Sequence, residues 1–182
     1  LDESNAPFYK WFEDGELNVS YNCLDRNIAN GNAEKVAIIF EADDGAVTKV
    51  TYRELYHRVC RLANGLAALG IGRGDTVSAM LPNTPEMVEA HYAVPALNAV
   101  LNTLNTRLDA PLLAWQMNHC EAKVLITDRE FAPVMAPALR LLREEHGRTP
   151  IVIDVCDSEY GGAGEPFGEG SGAHEYEALL QA

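Results

Sequence analysis

The sequence predicts an α/β fold, a doubly wound and mostly parallel sheet with helices on both faces. Short runs of β-branched and aliphatic residues alternate along the chain with stretches whose apolar residues recur every three or four positions. The helical stretches are long enough to return each strand parallel to the one before it. A chain of 182 residues, 47% hydrophobic and 23% charged, is also sufficient to bury one folded core.

The first elements are a strand, a turn and a helix. Residues 36–42 form a β-branched run that predicts a buried strand, and Asp43-Asp44-Gly45 predicts a turn into a second extended piece. Thr51 and Glu54 have the T-x-x-E spacing of a capping box, behind which apolar residues recur at helical spacing up to Gly70. Residues 70–74 hold three glycines but follow a helix, the reverse of the order in a dinucleotide-binding turn. They therefore predict a helix-to-strand turn.

The same alternation continues to residue 155. Strands are predicted at residues 76–81, 100–104, 123–127 and 151–155, and helices at residues 85–97, from residue 110 onward and at residues 130–145. Thr84 and Asp109 occupy the expected cap positions of two of these helices. We expect a doubly wound subdomain over residues 36–156 with right-handed crossovers.

Charge divides the chain into three parts. Residues 1–35 carry seven acids and three bases, and residues 157–182 carry six acids and no base, within a formal net charge of −13. We predict an acidic leader wrapping the core at 1–35, the α/β subdomain at 36–156, and a glycine-rich acidic connection at 157–182 that leads to a missing remainder. Within that connection, residues 161–172 hold six of the 14 glycines and predict a flexible loop. Nucleic acid and anionic membrane surfaces need clustered cations, so neither is a predicted partner.

The cysteines predict a reduced, metal-free chain. Cys23, Cys60, Cys120 and Cys156 form no C-x-x-C pair and no metal-ligand spacing, which is typical of mostly buried thiols in a cytosolic protein. No apolar run approaches the roughly 20 residues of a membrane-spanning helix, and the polar start lacks the pattern of a signal peptide. We therefore expect no transmembrane segment and a cytoplasmic location.

The residues alone provide two candidates for substrate binding and no catalytic, cofactor-binding or metal-binding residue. Asn83 follows a strand at the edge where doubly wound sheets bind ligands, although an Asn before Thr-Pro is also ordinary turn chemistry. Arg107 lies in a strand-to-helix loop, where it holds an anion, orders the loop or pairs with a helix end. Trp11 and Trp115 are expected to pack against other residues and His91 to be half-buried.

A series of short motifs occurs in an order and spacing that point beyond the fold. The runs are Val50-Thr51-Tyr52-Arg53-Glu54-Leu55, residues 66–75 (LAALGIGRGD), Leu81-Pro82-Asn83, Asn98-Ala99-Val100-Leu101-Asn102, Asn105-Thr106-Arg107-Leu108 and Lys123-Val124-Leu125-Ile126-Thr127. Together they resemble the AMP-forming acyl-CoA synthetases of the adenylate-forming superfamily, and they cover nearly the whole chain.

Within that family the two halves of the chain resemble different branches. Residues 11–18 (WFEDGELN), with Tyr21-Asn22 and Asp25-Arg26, are similar to the leader of acetyl- and propionyl-CoA synthetases. From residue 76 onward, and especially at 104–109, the chain is similar to medium- and long-chain acyl-CoA synthetases, which act in fatty acid metabolism. Residues 127–131 lack the Arg-x-Gly-Arg-like segment that contacts the CoA nucleotide in the acetyl branch. A hybrid, a truncation or a divergent branch would each explain the mixture.

The resemblance implies an acid–thiol ligase. The full-length enzyme would convert a carboxylic acid, ATP and CoA into acyl-CoA, AMP and pyrophosphate through an acyl-adenylate, with Mg²⁺. The family holds the phosphates in a Ser/Thr/Gly-rich loop that ends in Pro-Lys and uses a lysine from a separate C-terminal domain. Lys10, Lys35, Lys49 and Lys123 match neither feature. We therefore expect an N-terminal portion of such an enzyme that is inactive alone and binds none of these cofactors.

Two further expectations remain open. An incomplete subdomain exposes apolar core surface, which favours self-association. The alternative to a synthetase fragment is a free-standing, non-catalytic doubly wound module that binds a partner or a small ligand.

Overall fold

The secondary structure follows the predicted alternation. A computed structural model describes residues 1–156 and 174–181. Its strands are β1 (Val36–Glu41), β2 (Val47–Thr51), β3 (Thr76–Met80), β4 (Val100–Thr103), β5 (Val124–Asp128), β6 (Ile151–Val155) and β7 (His174–Glu175). Its α-helices are α1 (Tyr52–Ala68), α2 (Pro85–Ala96), α3 (Ala110–His119), α4 (Ala132–His146) and α5 (Tyr176–Leu179). Short helical turns of other types occupy Tyr21–Asp25, Ile28–Asn32 and Arg129–Phe131.

Five strands form one parallel sheet in the order β4-β3-β5-β6-β7. From β3 the chain winds outward to β4, and then returns past β3 to build β5, β6 and β7 on the other side. The direction of winding therefore reverses between β3 and β5, where Val77 lies opposite Val124. The doubly wound prediction is confirmed.

Helices cover both faces of this sheet, as predicted. One face packs against α1 and α2 through Val77, Ala79 and Ile126, which share a buried cluster with residues of those helices. The opposite face packs against α3 and α4 through Met80 and Leu125. Successive residues of a strand point to opposite faces, so an interior parallel strand is buried throughout. Within residues 1–156 and 174–181, no helix combines the length and apolar character needed to cross a membrane.

Hydrogen bonds at the start of α1 and glycine backbone conformation beyond its end confirm the predicted boundaries of this helix. The backbone N–H of Glu54 donates to the Thr51 hydroxyl at 3.2 Å, and the Thr51 N–H donates to the Glu54 carboxylate at 2.7 Å. These reciprocal bonds make the capping box. Beyond the helix, Gly70 and Gly74 adopt φ values of 86° and 83°, a conformation that glycine tolerates. Residues 70–74 thus form the predicted helix-to-strand turn.

The prediction of a buried strand at residues 36–42 is wrong. The strand exists, but β1 pairs antiparallel with β2 outside the parallel sheet. A two-stranded hairpin packs only one face, so Ile38 contacts the core while Ile39 is 67% exposed. The turn between the two strands is confirmed, with the Gly45 N–H donating to the Ala42 carbonyl oxygen at 2.8 Å.

Several expectations about burial are also wrong. Trp11 and Trp115 are exposed, and Trp115 stacks on His119 with ring centroids 5.0 Å apart. His91 is exposed, and its Nδ1 lies 2.7 Å from the Met87 carbonyl oxygen. The rings of His91 and Trp115 project from α2 and α3 away from the apolar positions that pack on the sheet, whereas Trp11 lies outside any helix. The four cysteines are free, but Cys156 is exposed and the other three are half-buried.

The leader contacts the core through its second half. Leu24 is buried with α1 residues, and the Asn18 side-chain amide donates to the Pro95 carbonyl oxygen at 2.8 Å. The three-part division at 35/36 and 156/157, including the wrapping leader, stays a prediction. The flexible loop predicted at residues 161–172 lies outside the described residues.

The segment after that gap packs on the sheet and on α1. His174 and Glu175 add a parallel strand beside β6, and the following single turn of helix buries Tyr176, Leu179 and Leu180. The contact depends on Gly65 of α1. A Cβ at Gly65 would lie 2.7 Å from Leu179 Cγ, closer than side-chain carbons approach.

We expect Gly65→Ala to destabilise the chain by about 1 to 3 kcal/mol, because the new methyl group displaces Leu179 from α1. The substitution Leu179→Ala removes the clash. The Gly65→Ala/Leu179→Ala double variant should therefore be more stable than the sum of the two single losses predicts. Urea unfolding measures both. Gly72→Ala is the control, since, apart from Gly72 and its two chain neighbours, no atom of the described chain lies within 4 Å of the position that its methyl group would take. Equal losses at Gly65 and Gly72 would contradict the packing explanation.

Candidate functional site

The carboxyl ends of the parallel strands form the candidate site. We call this region, made of residues 81–84, 104–109, 129–131 and 156, the carboxyl edge. Doubly wound sheets bind ligands at this edge, near the point where the winding direction reverses. A cavity of about 290 Å³ lies between the carboxyl ends of β5 and β6, the start of α2 and the β1–β2 hairpin. Its polar lining consists of Thr48, Thr84, Glu86, Asp128 and Cys156.

Both candidate binding residues lie on the carboxyl edge. Asn83 follows β3 and Arg107 follows β4, and both are exposed. The backbone N–H of Arg107 donates to the Asn105 side chain at 2.9 Å, whereas Asp109 accepts from the Leu112 N–H as the cap of α3. No hydrogen bond joins Asn83 to Arg107 within the described chain. The fold therefore places them on one edge without building them into one site, and their role in binding stays a prediction.

The start of α2 contributes a buried hydroxyl to this edge. Thr84 has the extended backbone of a cap, which confirms the predicted position, but its side chain makes no capping hydrogen bond. Its Oγ1 is buried and has no hydrogen-bond partner among the described residues. Thr84 thus occupies the predicted cap position, but its hydroxyl does not accept a hydrogen bond from the first turn of α2.

A buried ion pair lies beside the edge. The Arg129 Nε donates to Asp154 Oδ2 at 2.8 Å, and Asp154 is only 2% exposed. Burial raises the pKa of Asp154 even though Arg129 acts in the opposite direction, and the same hydrogen bond raises the pKa of Arg129. Arg129 is therefore engaged in neutralising a buried acid and does not face a ligand as a free cation.

The described residues do not fit the phosphates of ATP. The cavity is lined by two acids, Glu86 and Asp128, which would repel an anion. Of the lysines, Lys123 pairs with Asp75 at the opposite end of the sheet, and Lys10 pairs with Glu13 in the leader. Across residues 1–156 and 174–181, no group of three His, Cys, Asp or Glu side chains is arranged to hold a metal ion.

A second buried acid joins three helices. Glu89, in the second turn of α2, is 2% exposed, and the Tyr176 hydroxyl donates to its Oε2 at 2.6 Å. Arg58 of α1 lies on its other side, with Nη1 3.3 Å from Oε1. We call Arg58, Glu89 and Tyr176 the Glu89 cluster. It holds α5 against α1 and α2.

Burial controls the ionisation of this cluster. Desolvation raises the pKa of Glu89, and the bonds from Tyr176 and Arg58 only partly offset it. Burial and the adjacent carboxylate raise the pKa of Tyr176, so its phenol remains a hydrogen-bond donor. Glu89 does not line the cavity at the carboxyl edge. The cluster therefore stabilises the packing of α1, α2 and α5 and lies apart from that cavity.

Sequence reasoning missed the Glu89 cluster. The available indication is the position of Glu89 between Val88 and Ala90 in an apolar stretch of α2. Its donor Tyr176 is 87 residues away, so no local pattern connects the two.

Comparisons with known proteins agree with this architecture. Residues 25–171 match the family described as AMP-binding enzyme, and residues 1–23 match the acetyl-coenzyme A synthetase N-terminus. The chain is 58% identical over 130 residues to an acetyl-coenzyme A synthetase of Cupriavidus taiwanensis, covering 71% of this chain and 20% of the relative. It is 51% identical over 146 residues to the Ralstonia pickettii enzyme of that name, covering 80% and 22%.

A solved structure shares the fold. An acyl-CoA synthetase of Brucella canis superposes with a TM-score of 0.71 at 25% identity, covering 91% of this chain and 27% of that one. The chain therefore belongs to the AMP-binding enzyme family, and the predicted resemblance, including that of the leader, is confirmed. It spans about a fifth of the length of the curated relatives that it matches.

Replacing Glu89 with Gln should change how stability depends on pH. Because folding raises the pKa of Glu89, wild-type stability falls as pH rises from the unfolded value near 4.3 through the folded value. The glutamine side chain cannot ionise, so the melting temperature of Glu89→Gln minus that of wild type should become more positive from about pH 4 to about pH 8. Scanning calorimetry measures this difference.

The control for that experiment is Glu54→Gln. Hydrogen bonds from Thr51 lower the pKa of Glu54, so its contribution is lost as pH falls. The Glu54→Gln difference should therefore become more negative as pH rises through the acidic range. A pH-independent difference for Glu89→Gln would show that Glu89 ionises in the folded chain as it does in water.

Arg129→Ala should destabilise the chain by about 3 kcal/mol, because it leaves Asp154 buried without its cation. Arg107→Ala removes an exposed arginine and should change stability by less than about 0.5 kcal/mol. Urea unfolding at neutral pH compares the two variants. Similar losses for both would contradict the assignment of Arg129 to the buried pair.

Proposed function

We propose that this chain is part of an AMP-forming acyl-CoA synthetase. In the full-length enzyme a carboxylate oxygen attacks the α-phosphorus of ATP, forming an acyl-adenylate and releasing pyrophosphate. The CoA thiol then attacks the acyl carbon, its proton is lost, and the carbon–oxygen bond to AMP breaks. ATP supplies the leaving group that an unactivated carboxylate lacks.

We propose acetate as the carboxylic acid. The observation that carries this proposal is the identity of 49 to 63% to acetyl-coenzyme A synthetases. The leader, which matches the acetyl-coenzyme A synthetase N-terminus, supports the same branch. A longer fatty acid, and a place in fatty acid metabolism, is the second candidate, supported by the likeness of residues 104–109 to medium- and long-chain enzymes.

The described residues contribute scaffold rather than reacting groups to this reaction. Arg129 and Arg58 neutralise the buried acids Asp154 and Glu89, and the cavity at the carboxyl edge is acidic. ATP, Mg²⁺ and CoA are therefore proposed as cofactors of the full-length enzyme, held largely by residues outside this chain. Asn83 and Arg107 stay proposed substrate contacts. The KM of full-length variants substituted at Asn83 or Arg107 tests this role.

Three expectations complete the proposal. We place the enzyme in the cytoplasm, which the four free cysteines support. We expect the three-part division of the chain to appear as protease-sensitive boundaries near residues 35 and 157. Self-association of the 182-residue chain stays a prediction, and sedimentation velocity measures its oligomeric state.

The 182-residue chain should catalyse no acetate-dependent exchange of pyrophosphate into ATP, whereas the full-length enzyme should do so. The reason is that no lysine of this chain lies in a Ser/Thr/Gly-rich run. The rate of radioactive pyrophosphate exchange is measured for both proteins against a no-protein blank, with octanoate as the alternative acid to acetate. Exchange by the short chain above the blank would overturn the assignment of the chemistry to the remainder.

Reading the gene beyond Ala182 separates the synthetase from the alternative of a free-standing binding module. A Ser/Thr/Gly-rich run ending in Pro-Lys is expected within a few tens of codons. A stop codon directly after Ala182 would favour the binding module.

A further inference from the structure

The first 17 residues form a small structured unit of their own. Asp2 and Lys10 pair through two backbone hydrogen bonds of 2.8 and 3.1 Å, and the Gly15 N–H donates to the Phe12 carbonyl oxygen at 2.9 Å. Lys10 also pairs with Glu13. Within the part of the chain that the structure describes, the hydrogen bonds and ion pairs of residues 1–17 stay inside this unit. The first hydrogen bond to the rest of the fold comes from Asn18.

The large apolar side chains of this unit face outward. Phe8 is 73% exposed, Trp11 63%, Phe12 81% and Leu17 87%, and Tyr9 is also exposed. We call these five residues the leader patch. Isolated exposed apolar residues are common, but five within ten positions, four of them aromatic, are typical of a surface that another molecule covers. None of the five belongs to either buried cluster of the fold.

The charge around the leader patch restricts what covers it. Residues 1–17 hold five acids and one base, and that base, Lys10, is already paired with Glu13. An anionic lipid surface would be repelled, and so would the same patch on a second copy of the chain. The complementary surface is an apolar groove with Lys or Arg at its rim.

We propose that the leader patch docks into such a groove on the part of the full-length synthetase that this chain does not contain. This inference rests on the proposed function. About four-fifths of the length of the curated relatives lies outside the segment that matches this chain, and we place the groove there. The acetyl-coenzyme A synthetase N-terminus matches residues 1–23 and so includes the whole patch. In this arrangement residues 1–17 contact the rest of the full-length enzyme, and residues 18–33 contact α1.

A pair of substitutions tests the docking. In the full-length enzyme, Trp11→Ser combined with Phe12→Ser should lower the melting temperature by roughly 5 °C, because buried aromatic surface is lost. In the 182-residue chain the same pair should change it by less than about 1 °C, since both side chains are already in water. The matched control is Trp115→Ser, which removes the other exposed tryptophan from α3.

A second measurement needs no variant and applies if the double variant fails to fold. Hydroxyl-radical footprinting should show several-fold slower oxidation of Trp11 and Phe12 in the wild-type full-length enzyme than in the 182-residue chain. Equal oxidation in the two proteins would overturn the proposal. Equal loss of stability in both proteins, or no loss in either, would do the same.

Other occupants give distinct results that also overturn the proposal. Sedimentation of the 182-residue chain as a dimer that the double substitution converts to a monomer would assign the patch to a second copy. Substitution-sensitive binding to phosphatidylcholine vesicles would assign it to lipid. Pyrophosphate exchange tests the reaction separately, so protection of Trp11 without exchange would leave docking standing while the proposed function fails.

Discussion

The parallel direction of all five strands is the constraint on which the rest of the structure depends. Parallel neighbours cannot be joined by a tight turn, so the connections between β3, β4, β5 and β6 each cross a face of the sheet through a helix. Those helices bury both faces, which is why the five residues of β5 are all buried. The same constraint brings the loops after β3, β4 and β5 to one edge. It therefore decides both where the core lies and where a ligand would be met.

Sequence reasoning succeeded where the determining contacts are local. The capping box of Thr51 and Glu54 spans three residues, and the turn at residues 70–74 is specified by its own glycines, so both are visible in the sequence. It failed where exposure depends on distant packing. Trp115 has the size of a core residue, but its neighbours Leu113 and Ala114 occupy the buried side of α3. The Glu89 cluster was missed for the same reason, since folding alone brings Tyr176 to α2.

The placement of charge leaves few cations among the described residues for binding an anion. A chain with 14 basic and 27 acidic residues has few cations to spare, and the described ion pairs use several of them on buried or half-buried acids. Removing such a cation leaves an acid in a poorly solvated site, which costs several kcal/mol. Arg58 and Arg129 are thus engaged in stabilising the fold. Asn83 and Arg107 lie on the carboxyl edge as expected, and their role in substrate binding stays a prediction.

The segments on either side of the subdomain, residues 1–17 and 174–181, are held in place by different interactions. Residues 174–181 are held by burial, through Leu179 against Gly65 and the Tyr176 hydroxyl on Glu89. Residues 1–17 have ordered local bonds but leave Trp11 and Phe12 in water. Covering exposed aromatic surface with another apolar surface lowers the free energy of the folded state. Residues 174–181 are already buried, so a further contact would stabilise them less. Of these two segments, the leader is therefore the one that an additional protein contact would stabilise more.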